Sequence, residues 1–316
     1  MNLTKISHPA AWSGKDLFES SMWQTHLADE NFDWSRVSDN TELFSRIQQE
    51  LEDGSGVVLL KGAGLPDAKE SDPKNVFHDF CSQIGTPISQ SAAGEKVFSV
   101  RNEGYANDDP RARGPNTKKK LSFHTDRCDV IAFLCLQQAK SGGENQVVSS
   151  MTLYNEMLQR RPDLLEVLCQ PFYYQRHNVD LANEKPFTQQ PIFSIYKGHF
   201  ASNFLRVLIN RAYESGEVPA MTVLQREALD YLEDLAAEEN LHVTFRQEEG
   251  DILLLNNWVT YHRRTEFEDY TEMERRRHLL RVWLSMPNSR PLAPLFAGNY
   301  GATEAGAIRG GMRASS

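Results

Sequence analysis

Leu121-Ser122-Phe123-His124-Thr125-Asp126 is the stretch on which the reading of this chain turns. In an extended strand successive side chains alternate faces, so His124 and Asp126 project to one side and Thr125 to the other. One tripeptide thus supplies an imidazole and a carboxylate to the same point. Far downstream, Tyr261-His262 offers a second imidazole, and Arg277-His278-Leu279-Leu280-Arg281 offers two guanidinium groups. Two His and one carboxylate gathered on one face of a metal ion leave three coordination positions open, the arrangement of a non-haem iron site. With nine His in the chain, one His-x-Asp is about what chance supplies. Alone, the tripeptide reads better as a hydrogen-bonded strand histidine before a turn residue, so the weight falls on its context.

Outward from this segment the chain alternates short apolar runs with helical stripes. Asp39 and Glu42 form a capping box ahead of Leu43, Ile47 and Leu51 on one helical face. Gly56-Val57-Val58-Leu59-Leu60-Lys61 reads as a buried strand, and Asp72-Pro73 opens a second helix with the stripe Val76, Phe77, Phe80 and Ile84. Residues 97–100, 131–136, 172–175, 192–196, 243–246, 252–255 and 278–284 are further strand candidates. Residues 153–158 and 162–168 are helical, as is the stripe Leu224, Ala228, Leu232 and Leu235. The polar stretch 101–120, leading into His124, predicts a lid, and its Lys118-Lys119-Lys120 run reads as a solvated patch.

Many short strands with helices before and between them indicate a mainly β fold with flanking helices. A barrel or jelly roll whose central connection carries a helical insertion at about 150–240 would bring the distant ligand candidates to one barrel mouth. A single domain over 1–316 is expected: an N-terminal helix and strand region to 100, a core over 101–290, and an irregular Gly-, Pro- and Ala-rich tail over 291–316.

The 316 residues, 40% hydrophobic and 24% charged, suffice for a sizeable core. A net charge of −9 argues against a general nucleic-acid binder. Cys81, Cys128, Cys135 and Cys169 form no CxxC pair, giving neither a zinc ribbon nor a disulfide framework. The N-terminal residues lack a signal-peptide apolar stretch, and no run reaches membrane-spanning length. An intracellular, cytoplasmic protein is expected, acting on a small molecule with neither nucleic acid nor membrane as partner; a homo-oligomer is left open.

Five motifs in order give the context that His-x-Asp lacks. They are Ser122-Phe-His-Thr-Asp126, Gly142-Gly143-Glu144-Asn145, Gly250-Asp251 leading through Asn256-Asn257 to His262, Arg264-Thr-Glu-Phe-Glu-Asp269, and Arg276-Arg277-His-Leu-Leu-Arg281-Val-Trp-Leu284. In these the chain resembles the taurine dioxygenase-like (TauD/TfdA) group of iron(II)- and 2-oxoglutarate-dependent oxygenases, from about Val57 to Pro287. The resemblance implies a double-stranded β-helix (jelly roll) core, with His124, Asp126 and His262 as iron ligands. It implies that Arg277 meets the C5 carboxylate of 2-oxoglutarate, a pairing that suits a planar, permanently charged guanidinium. Arg281, four residues on, is expected to support the cosubstrate, to reach the substrate or to form a structural salt bridge. Asn145 stands where the family often has Thr or Ser beside the far carboxylate, and its amide can donate the same hydrogen bond.

The implied reaction uses O2 to oxidise an unactivated C–H bond of a small polar, amino-acid-like molecule, releasing succinate and CO2 from 2-oxoglutarate. Hydroxylation, desaturation, cyclisation and dealkylation all remain open. Asp126 argues against a halogenase, in which a small residue makes room for chloride. Arg101, Arg206 and Arg281 are candidate substrate anchors. The reading from another class is a non-catalytic jelly-roll binding protein with a vestigial metal site.

Overall fold

Val57-Val58-Leu59-Leu60 and Ile252-Leu253-Leu254-Leu255 show no polar alternation because both faces of their sheet are covered. The structure is a computed structural model that describes residues 3–21, 23–27, 29–30, 32–65, 72–104, 116–176 and 186–312. Among these, the main sheet has seven strands, in the order Gln24–His26, Val57–Lys61, Ile252–Asn256, Val130–Gln137, His278–Ser285 and Thr86–Ile88, with Val97–Val100 also paired to His278–Ser285. Only Gln24–His26 and Val57–Lys61 pair in parallel; the other pairings are antiparallel. A smaller antiparallel sheet runs His242–Phe245, Asn145–Ser149, Thr260–Arg264.

Three apolar layers follow from strand parity. Val58, Leu60, Leu134, Leu254, Leu280 and Val282 pack outward on the helices Thr41–Glu52 and Pro73–Ile84. The opposite face, with Leu59, Ile131, Leu253 and Trp283, meets Val147 and Val243 of the small sheet. Val148 and Tyr261, on the far side of that sheet, pack against the insertion. The insertion enters between neighbouring strands of the small sheet, after Ser149 and before His242. It is not purely helical. Besides Ser150–Arg160, Pro162–Leu168, Arg206–Glu214 and Val223–Ala236, it carries the strand pairs Phe172–Gln175 with Phe187–Gln190 and Phe193–Tyr196 with His199–Ser202. No helix among the described residues is long and apolar enough to cross a membrane.

Several local expectations are corrected. The first long helix begins at Thr41 behind Asn40, not Asp39: Asn40 makes no side-chain cap, its Nδ2 donating to Arg36 O at 3.0 Å, and Asp39 pairs with Arg36 at 2.8 Å. Leu224 is 43% exposed: it lies in the first turn of Val223–Ala236, before the helix reaches the core through Ala228, Leu229, Leu232 and Leu235. Residues 105–115 of the expected lid lie outside the described residues, as does His177.

The tail after Pro287 is irregular in backbone yet firmly packed. Arg309, 2% exposed, reaches Asp129 Oδ1 with its Nε at 2.7 Å, and Asp129 also accepts from Trp258 Nε1 at 2.8 Å and Met286 N at 2.9 Å. A buried carboxylate of this kind is stabilised by such donors and strongly penalised when its cation is removed. Arg309→Met should therefore lower the free energy of unfolding in urea by about 3–5 kcal/mol. A loss below about 0.5 kcal/mol, typical of a surface substitution, would show that the tail contributes nothing to the core.

Candidate active site

His124 and His262 face each other as a hydrogen-bonded antiparallel pair: His124 N–H donates to His262 O at 3.1 Å, and His262 N–H donates to His124 O at 3.0 Å. Directly opposed residues share a face, so the rings come together with centroids 4.5 Å apart. Thr125 turns away, its Oγ1 accepting from Asn203 Nδ2 at 2.9 Å and Phe204 N at 3.0 Å. Asp126 returns to the histidine side, with its N–H donated to Asn257 Oδ1 at 3.0 Å. The alternation expected from the tripeptide is realised, and Thr125 and Asn257 hold it in place.

Asp126 Oδ2 lies 3.4 Å from His262 Nε2 and 4.0 Å from His124 Nε2, and one ligand atom from each of the three residues lies within 4.8 Å of the others. Buried Oδ2 has no hydrogen-bond partner. An anionic oxygen left in this way beside two ring nitrogens fits a divalent cation as its missing partner. His124 Nδ1 lies 2.9 Å from Ser122 O, so the proton belongs on Nδ1 and Nε2 keeps its lone pair. Burial, and then the neighbouring His262, push the His124 ring down to about 4, which keeps it neutral at pH 7. Burial pushes the Asp126 carboxyl up, but the Arg281 cation and the two imidazoles outweigh it and hold it well below the usual carboxylate range. Arg281 Nη1 stands 3.6 Å from the other oxygen, Oδ1.

Beside this cluster lies a second basic patch. Arg277, one residue before His278–Ser285, is 3% exposed, and its buried Nε has no hydrogen-bond partner. Its guanidinium forms no salt bridge with any described residue; Asp269 Oδ1 accepts instead from its backbone N–H at 2.9 Å. Burial lowers its pKa to about 10, which still leaves a cation at neutral pH. A cation buried without a counter-ion fits an anionic ligand group. The two glycines of the Gly-Gly-Glu motif make room for this arrangement. A Cβ at Gly143, where φ is +76°, would lie 3.2 Å from Arg277 Nε, and one at Gly142 would lie 2.2 Å from Glu266 O.

Arg264 was quoted only as part of a motif, and its place beside the site went unread. It lies two residues after His262 in the same strand, so it shares that face, which was the available signal. It donates to Thr117 O at 2.8 Å and to Lys119 O, tying the segment ahead of His124 to the small sheet. The Phe267 ring contacts both cations, 4.5 Å from Arg264 Cζ and 5.3 Å from Arg277 Cζ. Asn145 sits opposite Arg264 in the sheet, with Nδ2 3.5 Å from Gln247 Oε1. Arg206 is engaged elsewhere: it pairs with Asp230 at 2.6 Å and Glu233 at 3.4 Å, joining two helices of the insertion. Arg101 pairs with Glu103 at 2.7 Å.

The model of the family "Taurine catabolism dioxygenase TauD, TfdA family" matches residues 18–283. The chain belongs to the TauD/TfdA family. As a TauD/TfdA enzyme it is an Fe(II)- and 2-oxoglutarate-dependent oxygenase. FR-33289 synthase of Streptomyces rubellomurinus is 31% identical over 258 residues, 79% of this chain and 74% of that protein. Among solved structures, an asparagine oxygenase in complex with Fe(II), 3-hydroxyasparagine and succinate aligns with TM-score 0.59 at 15% identity, covering 78% of this chain and 79% of that one. The non-haem iron oxygenase OrfP, in complex with Fe and α-ketoglutaric acid, aligns with TM-score 0.56 at 18% identity over 79% of this chain and 83% of that one. At these identities the two structures establish likeness of fold.

The depressed His124 value gives a signed pH dependence for the metal-free TauD/TfdA chain. An unfolded His124 titrates near 6.5 and the folded one near 4, so between these values the unfolded state binds more protons and stability falls as pH falls. His124→Gln, which has no titrating ring, should flatten the urea-unfolding stability profile across that window. A profile with the parent's slope would contradict the burial assigned to this ring.

Proposed function

We propose that His124, Asp126 and His262 hold the Fe(II) ion, that Arg277 pairs with the C5 carboxylate of 2-oxoglutarate, and that the two facing sheets are the halves of a double-stranded β-helix (jelly roll) within a single oxygenase domain. The observation that carries this reading is the convergence of two imidazole nitrogens on Asp126 Oδ2, a buried carboxylate oxygen with no other partner. The Arg277 cation, buried with no salt bridge to any described residue, adds the second half of the argument. The substrate class proposed is a small polar, amino-acid-like molecule. Support for it comes from two structural neighbours, an asparagine oxygenase and OrfP, which were solved with hydroxyasparagine and hydroxyarginine.

With O2, the bound iron and 2-oxoglutarate supply an oxidant able to break an unactivated C–H bond, with succinate and CO2 as the other products. The residues of this chain do the positioning. His124 keeps its proton on Nδ1 and presents Nε2; Asp126 remains an anion beside Arg281. Arg277 offers the planar fork that a carboxylate accepts in bidentate fashion, in a pocket where water does not screen the pair. Phe267, across from Arg277, and Phe133, its ring 6.0 Å from that of His262, keep the surroundings apolar. Asn145, on the His262 face of the small sheet, is proposed to help hold the far carboxylate, and Arg281 to support the cosubstrate or reach the substrate.

The direct test is succinate release from 2-oxoglutarate by the purified protein with Fe(II) and ascorbate, screened across amino acids, betaines, sulfonates and small carboxylic acids, with mass analysis of any coupled product. His262→Ala should lose both metal and succinate formation, and turnover equal to the parent's would remove the proposed ligand set. Arg277→Gln should weaken 2-oxoglutarate binding by about thirty- to several-thousand-fold, the equivalent of roughly 2–5 kcal/mol for an unpaired buried charge. Affinity should be measured with metal occupancy checked separately. Near-parental affinity in Arg277→Gln together with a large loss in Arg281→Gln would reverse the two arginine roles.

A further inference from the structure

Asp126 has two oxygens, and the surroundings treat them differently. Oδ2 faces both imidazoles, while Oδ1 faces Arg281 Nη1 at 3.6 Å. What holds Arg281 there is a buried amide that no motif pointed to. Gln90, 2% exposed, accepts from Arg281 Nε through Oε1 at 2.7 Å. Its amide orientation is not arbitrary, because Nε2 donates to Lys96 O at 3.0 Å and to the Arg281 main-chain O at 2.9 Å. Two carbonyl acceptors require the nitrogen on their side, so the oxygen must face the guanidinium. The Gln90 backbone is held as well, its N–H donating to Glu95 O at 2.8 Å. Phe98 and Trp283 flank the guanidinium, their ring centroids 5.2 Å and 5.1 Å from Arg281 Cζ. Arg281 is thus clamped at Nε and on its flanks, leaving Nη1 toward Asp126.

We propose that Gln90 is a positioning residue of the iron site: through Arg281 it anchors Asp126 Oδ1, so that Oδ2 is held in place for the metal. This rests on the ligand set proposed above. A carboxylate without that anchor must be ordered when the metal binds, which weakens binding. Partners behind a ligating carboxylate typically change metal affinity or activity by 10–100-fold when removed. Gln90→Met keeps the length of the side chain and removes both the acceptor for Arg281 Nε and the two amide donors. Arg281→Lys keeps the charge and removes Nε itself.

The test is Co(II) binding by titration calorimetry, without 2-oxoglutarate, on the parent, Gln90→Met, Arg281→Lys, the double variant and His262→Ala. Thermal melting of each metal-free protein reports whether it has folded, and Gln90→Asn, which withdraws the amide by one methylene, replaces Gln90→Met if that variant does not fold. Each single variant should bind Co(II) about 10–100-fold more weakly, and the double variant no more weakly than the worse single one, because both break the same link. A folded Gln90 variant with parental Co(II) affinity, or losses that multiply in the double variant, would overturn the proposal. If His262→Ala binds Co(II) as the parent does, the ligand set itself fails and this inference falls with it. If His262→Ala loses binding while the Gln90 variant keeps it, the inference about Gln90 alone fails.

Discussion

Two reciprocal hydrogen bonds between the main chains of His124 and His262 fix the register on which the site depends. Because side chains alternate along a strand, a slip of one residue would turn His262 to the opposite face of its sheet, away from His124. The tripeptide supplies the pairing of His124 with Asp126, but only the strand partnership with residues 260–264 adds the third group. That partnership is reinforced from outside the site. Arg264 grips the carbonyls of Thr117 and Lys119, Leu121 N–H donates to Arg264 O, and Thr125 is fastened to Asn203 and Phe204 of the insertion.

The parts of the fold that were legible in the sequence are those governed by local periodicity. Unbroken apolar runs marked strands covered on both faces, and Asp72-Pro73 marked a helix start that the structure caps through Asp72 and Lys74 N. The elements misread are those in which a side-chain partner outside the local pattern decides. Asp39 fitted a capping pattern, yet Arg36 takes its carboxylate. Arg206 had the chemistry of an anion anchor, yet two acidic side chains of a neighbouring helix occupy it. Of the strand pairs within the insertion, Phe172–Gln175 and Phe193–Tyr196 were legible and their partners Phe187–Gln190 and His199–Ser202 were not, and the tail has too little backbone regularity to announce that Arg309 is part of the core.

The same limit applies to the site. His124, Asp126 and His262 were readable as types at suggestive positions, and the structure brings them together. Gln90 was not readable, because nothing in Ser89-Gln90-Ser91 distinguishes a polar turn from an amide buried against Arg281. Arg264, Arg277 and Arg281 are all buried cations, and each is accommodated differently: by main-chain carbonyls, without a salt bridge to any described residue, and by an amide with the Asp126 carboxylate.

Asp129, three residues beyond Asp126, draws its partners from widely separated parts of the chain: Trp258, Met286 and finally Arg309. A polypeptide made from its N-terminus delivers them in that order, and chains fold as they are synthesised at about 5–20 residues per second. The strand segments that carry His124 and His262 are complete before Arg309 exists, so for an interval the nascent chain holds every ligand candidate while Asp129 lacks its guanidinium. Docking of Arg309 on Asp129 therefore follows synthesis of the ligand candidates, and a ribosome that stalled between residues 262 and 309 would display those candidates on an unfinished foundation.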